Sequence, residues 1–193
     1  MAQASTTSGP EGIAEAARRR LKQIIVTKAL MKGQDIKLAS GATAAFYLDM
    51  RLVSMDPEGS TLIGELMLDA VAGAGEAVGG METGGIPVAA AIAQASFRRG
   101  RPMPAFYVRK KAKEHGTGKR IEGNLPARGR VVIVEDVTTT GDSAMQAVEA
   151  VREAGYEVGR VVTIVDRLAG ARESFARHGI ELVALFTRDD FGV

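Results

Sequence analysis

Residues 131–144 read Val131-Val132-Ile133-Val134-Glu135-Asp136-Val137-Thr138-Thr139-Thr140-Gly141-Asp142-Ser143-Ala144. Four consecutive β-branched apolar residues predict a strand buried on both faces, as in a parallel sheet covered by helices. Two acids stand where that strand ends, a hydroxyl-rich turn with one glycine follows, and a helix is predicted from about Ser143 to Ala154, closed by Gly155. Downstream, Val161 to Val165 predicts a strand, Ala171 to Arg177 a short helix, and Leu182 to Phe186 a last strand. Upstream, Ala77 to Met81 predicts a strand running into Gly84-Gly85-Ile86-Pro87 and an Ala-rich helix to Phe97, and Ala105 to Val108 predicts another strand. This alternation points to an α/β, doubly wound, mostly parallel five-stranded sheet with flanking helices. In such sheets ligands sit beyond the carboxyl ends of the strands, near the switch in strand order.

The N-terminal third is organised differently. Asp56-Pro57-Glu58-Gly59-Ser60 opens a helix with Leu62, Ile63, Leu66, Met67, Ala70 and Val71 on one face. Before it, Ile13, Ala16, Ala17, Leu21, Ile24, Ile25 and Leu30 recur at helical spacing, so a first helix is expected from Pro10 to a stop at Gly33. Lys37 to Gly41 and Ala45 to Met50 are expected to pair as a hairpin, and residues 1–9 to form a disordered tail.

With 46% apolar and 25% charged residues among 193, the chain has the balance of a folded globular protein. It has no Cys, which excludes thiol catalysis and a disulfide framework, and its two His lack metal-site spacing. No apolar run is long enough to span a bilayer and Met1 to Gly12 lacks a signal-peptide pattern, so a cytoplasmic location is expected. Net charge is only +2, yet the segment from Arg109 to Arg120 alone carries +5, leaving −3 elsewhere. One concentrated cationic segment on a mildly acidic body suggests a localised anion site.

The chemistry lies in the segment after Val134. Free N–H groups and the dipole at a helix N-terminus attract a phosphate. Thr138, Thr139, Thr140 and Ser143 add hydroxyl donors, and Gly141 permits close backbone approach. Carboxylates just upstream can accept hydrogen bonds from a sugar diol. Phosphate plus ribose hydroxyls describes a ribose 5-phosphate. Helix capping alone explains one or two hydroxyls, but not paired acids at the end of a buried strand, where desolvation is costly. Neither a Walker A loop nor a Gly-x-Gly-x-x-Gly fingerprint is present.

The segment resembles the phosphoribosyl-diphosphate signature of the type I phosphoribosyltransferases. Three further stretches resemble the orotate phosphoribosyltransferase family within that group: Arg109-Lys110-Lys111-Ala112-Lys113-Glu114-His115-Gly116 its mobile catalytic loop, Ser40-Gly41 with Phe46-Tyr47 and Asp49-x-Arg51 its N-terminal hood, and Asp166-Arg167 with Gly170 its D-R-x-x-G element. The matches run in order from about residue 36 to 170. By this resemblance residues 10–55 form an N-terminal helix and small hood, and 56–193 the phosphoribosyltransferase core domain.

The resemblance implies roles residue by residue. Glu135 and Asp136 hold the ribose hydroxyls, and Val137, Thr138, Thr139, Thr140, Gly141, Asp142 and Ser143 cradle the 5-phosphate. Arg109, Lys110, Lys113 and His115 stabilise the departing diphosphate as the catalytic set, with magnesium as cofactor held mainly through the diphosphate and no protein metal site. Gly116, Gly118 and Gly123 give that loop mobility. Arg109, Lys113 and His115 reach into the neighbouring subunit's site while Lys110 acts in its own, so a homodimer with shared sites is expected. Thr139, Arg167, Phe46 and Tyr47 contact orotate; Phe46 and Tyr47 could equally pack the hairpin onto the core, and the lesser alternative for Arg167 is a surface ion pair with Asp166 or Glu173. Lys37 and Arg51 could add charge to the hood. Two family lysines are replaced, by Ala39 in the hood and within Thr83-Gly84-Gly85. The alternatives are phosphoribosyl transfer to another base, or a phosphoribosyl-diphosphate-sensing regulator that binds nucleic acid. A regulator would need cations on a second face, whereas Arg18-Arg19-Arg20 and Arg98-Arg99-Gly100-Arg101 read as solvated helix ends and dimer-surface residues.

Overall fold

The computed structural model describes residues 10–37, 43–111 and 119–193. In chain order they form α1 (Pro10–Ile24), a π-helical turn (Ile25–Ala29), β1 (Leu30–Lys37), β2 (Thr43–Leu48), α2 (Arg51–Ser54), α3 (Pro57–Val71), β3 (Ala77–Met81), α4 (Gly85–Arg98), β4 (Ala105–Val108), β5 (Ile121–Gly123), β6 (Arg130–Thr138), α5 (Asp142–Glu153), β7 (Glu157–Asp166), α6 (Ala171–Ala176), β8 (Glu181–Thr187) and a 3₁₀ turn (Arg188–Phe191). The expected disorder of residues 1–9 lies outside the described residues.

The main sheet has the order β5-β4-β3-β6-β7-β8. Its five expected strands are all present and parallel. A sixth, β5, corrects the expected count: it runs antiparallel to β4 at the edge, pairing Phe106 with Gly123 and Val108 with Ile121. Three residues are too few to show a period, which is why the sequence hid it. Gly123 accordingly belongs to this strand and not to the loop it was expected to loosen.

Alternating residues of β6 bury to opposite faces. Val132 and Val134 join one core with Leu21, Ile63, Met67, Val88 and Ile92, while Val131 and Ile133 join another with Ala147, Val148, Val151 and Phe175. Helices thus cover both faces, as an all-apolar parallel strand requires. Asp56 caps α3 by accepting a hydrogen bond from the Gly59 N–H at 2.9 Å, with Pro57 in the first turn.

The first helix ends earlier than Gly33. The β-branched run Ile24-Ile25-Val26-Thr27 crowds χ1 against the preceding turn, α-helical pairing gives way to a π turn, and the chain is extended from Leu30. The hairpin therefore pairs Leu30–Lys37 with Thr43–Leu48, matching Leu30 to Leu48 and Lys32 to Phe46, rather than starting at Lys37. It forms its own two-stranded sheet, yet Phe46 and Leu48 belong to the same core as α3 and α4.

A candidate phosphoribosyl site at the strand ends

The chain order places the switch in strand order between β3 and β6, and the predicted residues gather there. β6 carries Glu135, 5% exposed, and the half-buried Asp136. After Thr138 the chain turns through Gly141, whose φ of 91° is costly for any residue with a Cβ, and enters α5 with no side-chain cap. Its first-turn N–H groups are thereby left for a ligand. Glu135, Val137, Thr138, Thr139, Thr140, Gly141, Asp142, Ser143 and Ala144 line a pocket of about 120 Å³. Two buried oxygens on its wall, Glu135 Oε2 and Thr138 Oγ1, have no hydrogen-bond partner. Thr140 Oγ1 donates to Asp142 Oδ2 at 2.9 Å, so this hydroxyl is engaged within the turn.

Burial, reinforced by the adjacent Asp136 charge, pushes the Glu135 carboxyl up to about 8. Burial also raises Asp136, against the Val137 N–H that donates to its Oδ1 at 2.8 Å. No Lys or Arg among the described residues forms an ion pair with either acid. Arg51 acts on Asp136 only through space, because its guanidinium is bound to Asp49 at 2.8 and 2.9 Å. The pair is thus short of positive charge, and Glu135 Oε2 is left open to a hydrogen-bond donor or a cation.

A chain of contacts joins the pocket to its surroundings. A Cβ on Gly84 would lie 2.5 Å from Asp136 Oδ1, so only glycine lets the β3–α4 turn approach the acids this closely. In the same turn Glu82 Oε1 accepts from the Lys110 N–H at 2.8 Å, tying the root of the cationic loop to the β3 end. Arg109 N–H donates to Arg120 O at 2.9 Å, extending the β4–β5 ladder to the far root of that loop. On the other side Arg167 N–H donates to Thr138 O at 2.9 Å. The Arg167 guanidinium lies over the Phe46 ring, 4.5 Å from its centroid, instead of pairing with Asp166 or Glu173.

The structure therefore gathers Glu135 and Thr138 to Ser143 in one pocket with Asp136 and Arg167 at neighbouring strand ends and Phe46 against Arg167, while Arg109 and Lys110 are tied nearby only through their backbone N–H groups. Phe46 is buried in the core as well as touching Arg167, and Tyr47 is half-buried, near enough to Arg51 to act on its charge. Lys113, His115, Gly116, Gly118, Ser40, Gly41 and Ala39 lie outside the described residues, as does the Lys37 side chain. Glu82 was missed by the sequence reading, although an acid closing a buried strand is the same signal that exposed Glu135. Among the described residues no cluster of three or more His, Cys, Asp or Glu is placed to hold a metal ion.

Comparison with known proteins follows this geometry. The phosphoribosyl transferase domain family matches residues 61–181. An orotate phosphoribosyltransferase of Bradyrhizobium sp. (strain ORS 278) is 48% identical over 181 residues, covering 91% of this chain and 97% of that protein. The crystal structure of the Mycobacterium tuberculosis orotate phosphoribosyltransferase in complex with Fe(III) dicitrate superposes with a TM-score of 0.81 at 40% identity, over 92% of this chain and 99% of that one. The same enzyme in complex with 5-phospho-alpha-D-ribosyl 1-diphosphate gives a TM-score of 0.77 at 36% identity, with the same coverage.

Proposed function

Because this chain belongs to the phosphoribosyl transferase domain family, and within it to the orotate phosphoribosyltransferases, we propose that it moves the 5-phosphoribosyl group of phosphoribosyl diphosphate onto orotate, giving orotidine 5-phosphate and diphosphate for pyrimidine synthesis. The observation that carries this reading is the β6–α5 pocket, with unpartnered carboxylate and hydroxyl oxygens on one wall and free helix N–H groups on the other.

Each part of the reaction has a place. The first turn of α5 and the hydroxyls of Thr138, Thr139 and Ser143 hold the 5-phosphate. Glu135 and Asp136 accept hydrogen bonds from the ribose hydroxyls, which replaces their missing donors and favours their ionised forms. As the bond from the ribose carbon to diphosphate lengthens, positive charge grows on the sugar beside these two acids and negative charge on the leaving oxygens. Arg109, Lys110, Lys113 and His115 stabilise the latter, helped by amides of Gly84-Gly85 where the family lysine is absent. Arg167 grips the carboxylate of orotate, for which a planar guanidinium is suited, while Thr139, Phe46 and Tyr47 border the base. The division into a hood (10–55) and a catalytic core (56–193) follows the same logic.

A magnesium ion fits as cargo of the diphosphate: the unpartnered Glu135 Oε2 and the uncompensated acid pair suit a cation, but two adjacent carboxylates alone make no cage. When bound, it would neutralise charge on the leaving diphosphate. We assign the enzyme to the cytoplasm and to a homodimer, in which Arg109, Lys113 and His115 serve the neighbouring site. No helix among the described residues is long and apolar enough to cross a membrane.

Among the described residues, most cations of the two Arg runs that the nucleic-acid-binding alternative would draw on are already paired. Arg20 is bound to Glu58, Arg98 to Glu65, Arg99 to Glu65 and Asp69, and Arg18 to Leu185 O and Asp190. The deciding assay follows the ultraviolet absorbance of orotate with phosphoribosyl diphosphate and magnesium, beside uracil, adenine and hypoxanthine. Turnover of orotate alone is the expected result; turnover of another base with orotate inert would overturn the reading.

A further inference from the structure

We propose that Phe46 is a positioning residue for Arg167: its ring holds the guanidinium in place before the acidic base arrives and so sets the affinity for a base that carries a carboxylate. This rests on the reading of Arg167 as the carboxylate-binding group.

Three observations carry it. The Phe46 ring is fixed from below, 7% exposed, on a strand paired with β1 and packed into the core with Leu48, Met50, Val53 and Ile63. The Arg167 backbone is fixed from the other side, its N–H bound to Thr138 O at 2.9 Å and the next N–H, of Leu168, bound to the buried Asp166 carboxylate at 2.8 Å. Between these anchors the guanidinium rests over the ring at 4.5 Å, within the range of a cation–π attraction. Among the described residues no carboxylate or carbonyl takes up its N–H groups, so the contact restrains the cation and leaves its donors free. A long, rotamer-rich side chain loses freedom when it grips a ligand, and restraint in advance lowers that loss. The hood thereby reaches the base through the side chain it orders on the core.

The test is a double-mutant cycle in steady-state kinetics, with orotate varied at saturating phosphoribosyl diphosphate and magnesium. Phe46→Leu is expected to raise the orotate KM about fivefold, with kcat changed less than about twofold and the KM for phosphoribosyl diphosphate unmoved; Phe46→Tyr restores the orotate KM. In an Arg167→Ala background Phe46→Leu adds nothing. A full effect of Phe46→Leu without Arg167, or a Tyr variant that behaves like Leu, overturns the proposal. If Arg167→Ala itself leaves the orotate KM unchanged, the carboxylate-binding reading of Arg167 fails first, a result distinct from loss of coupling. Should Phe46→Leu not fold, ring-fluorinated phenylalanine at position 46 empties the ring face of electron density with little change of shape. An orotate KM that climbs with each fluorine supports the proposal, and a flat series overturns it.

Discussion

At the end of β6, Glu135 and Asp136 stand on a nine-residue strand paired on both sides, with a helix against each face of the sheet. At the hood, Phe46 stands on a two-stranded ladder with a register shift between Lys32 and Ile36, joined to the core by a few side chains. On the proposed reading one region holds the phosphoribosyl group and the other borders the base. Groups that bear on shared chemistry sit where packing over-determines them. On the same reading the groups that border the base are divided between the appended hairpin, with Phe46 and Tyr47, and the sheet ends, with Thr139 and Arg167, so only part of the choice among bases can change without loss of the sheet.

Asp136→Asn should break the rigid half hardest. Removal of one charge-assisted acceptor of the ribose hydroxyls is expected to lower kcat/KM for phosphoribosyl diphosphate about 100-fold, with the thermal midpoint unchanged or raised, since a buried charge is lost. Unaltered kinetics would remove the acid pair from the site. Lys113→Ala probes the cationic segment between β4 and β5 instead, and should lower kcat about 30-fold with little effect on orotate binding by calorimetry. Mixed with Asp136→Asn subunits it should regain part of the activity, because one site of each heterodimer then has both wild-type residues. No recovery after verified subunit exchange would show that each site is built from one chain.

A last effect, on stability rather than rate, concerns what the rigid half costs. Burial, with the adjacent Asp136 charge, holds the Glu135 carboxyl up at about 8 in the folded protein, against an ordinary value of 4.5. Between these values the native state holds a proton that the unfolded chain has released, so this group's contribution to stability is full below about pH 4.5 and is lost as pH rises toward 8. Urea unfolding of the free protein should lose on the order of 3 kcal/mol from this group between pH 5.5 and 8. Glu135→Gln should flatten that slope. Phosphoribosyl diphosphate, which favours the ionised acid, should release a proton on binding at neutral pH, read by calorimetry in buffers of different ionisation enthalpy.

The two halves also differed in how much of them could be read before folding. The bounds of β3 and β4 follow from their apolar runs, and the acid pair with its Thr-Gly turn marks the site because few other arrangements explain charges at the end of a buried strand. The hairpin was misplaced because helical spacing continues through Ile24, Ile25 and Leu30 while β-branching favours extension; the pairing of Leu30 with Leu48, distant in sequence, decides it. The Phe46–Arg167 contact spans 121 positions and has no local signature. Glu82 needed only the rule already applied to Glu135.

The antiparallel strand β5 has a consequence for how this enzyme can vary. By pairing with β4, and by the further bond from Arg109 to Arg120, it clamps both roots of the cationic segment at fixed positions on the sheet edge. Joining two fixed roots costs the fold a closure entropy that grows only slowly with the number of residues between them, so the six-stranded frame should accept a connection of different length from a relative at little cost.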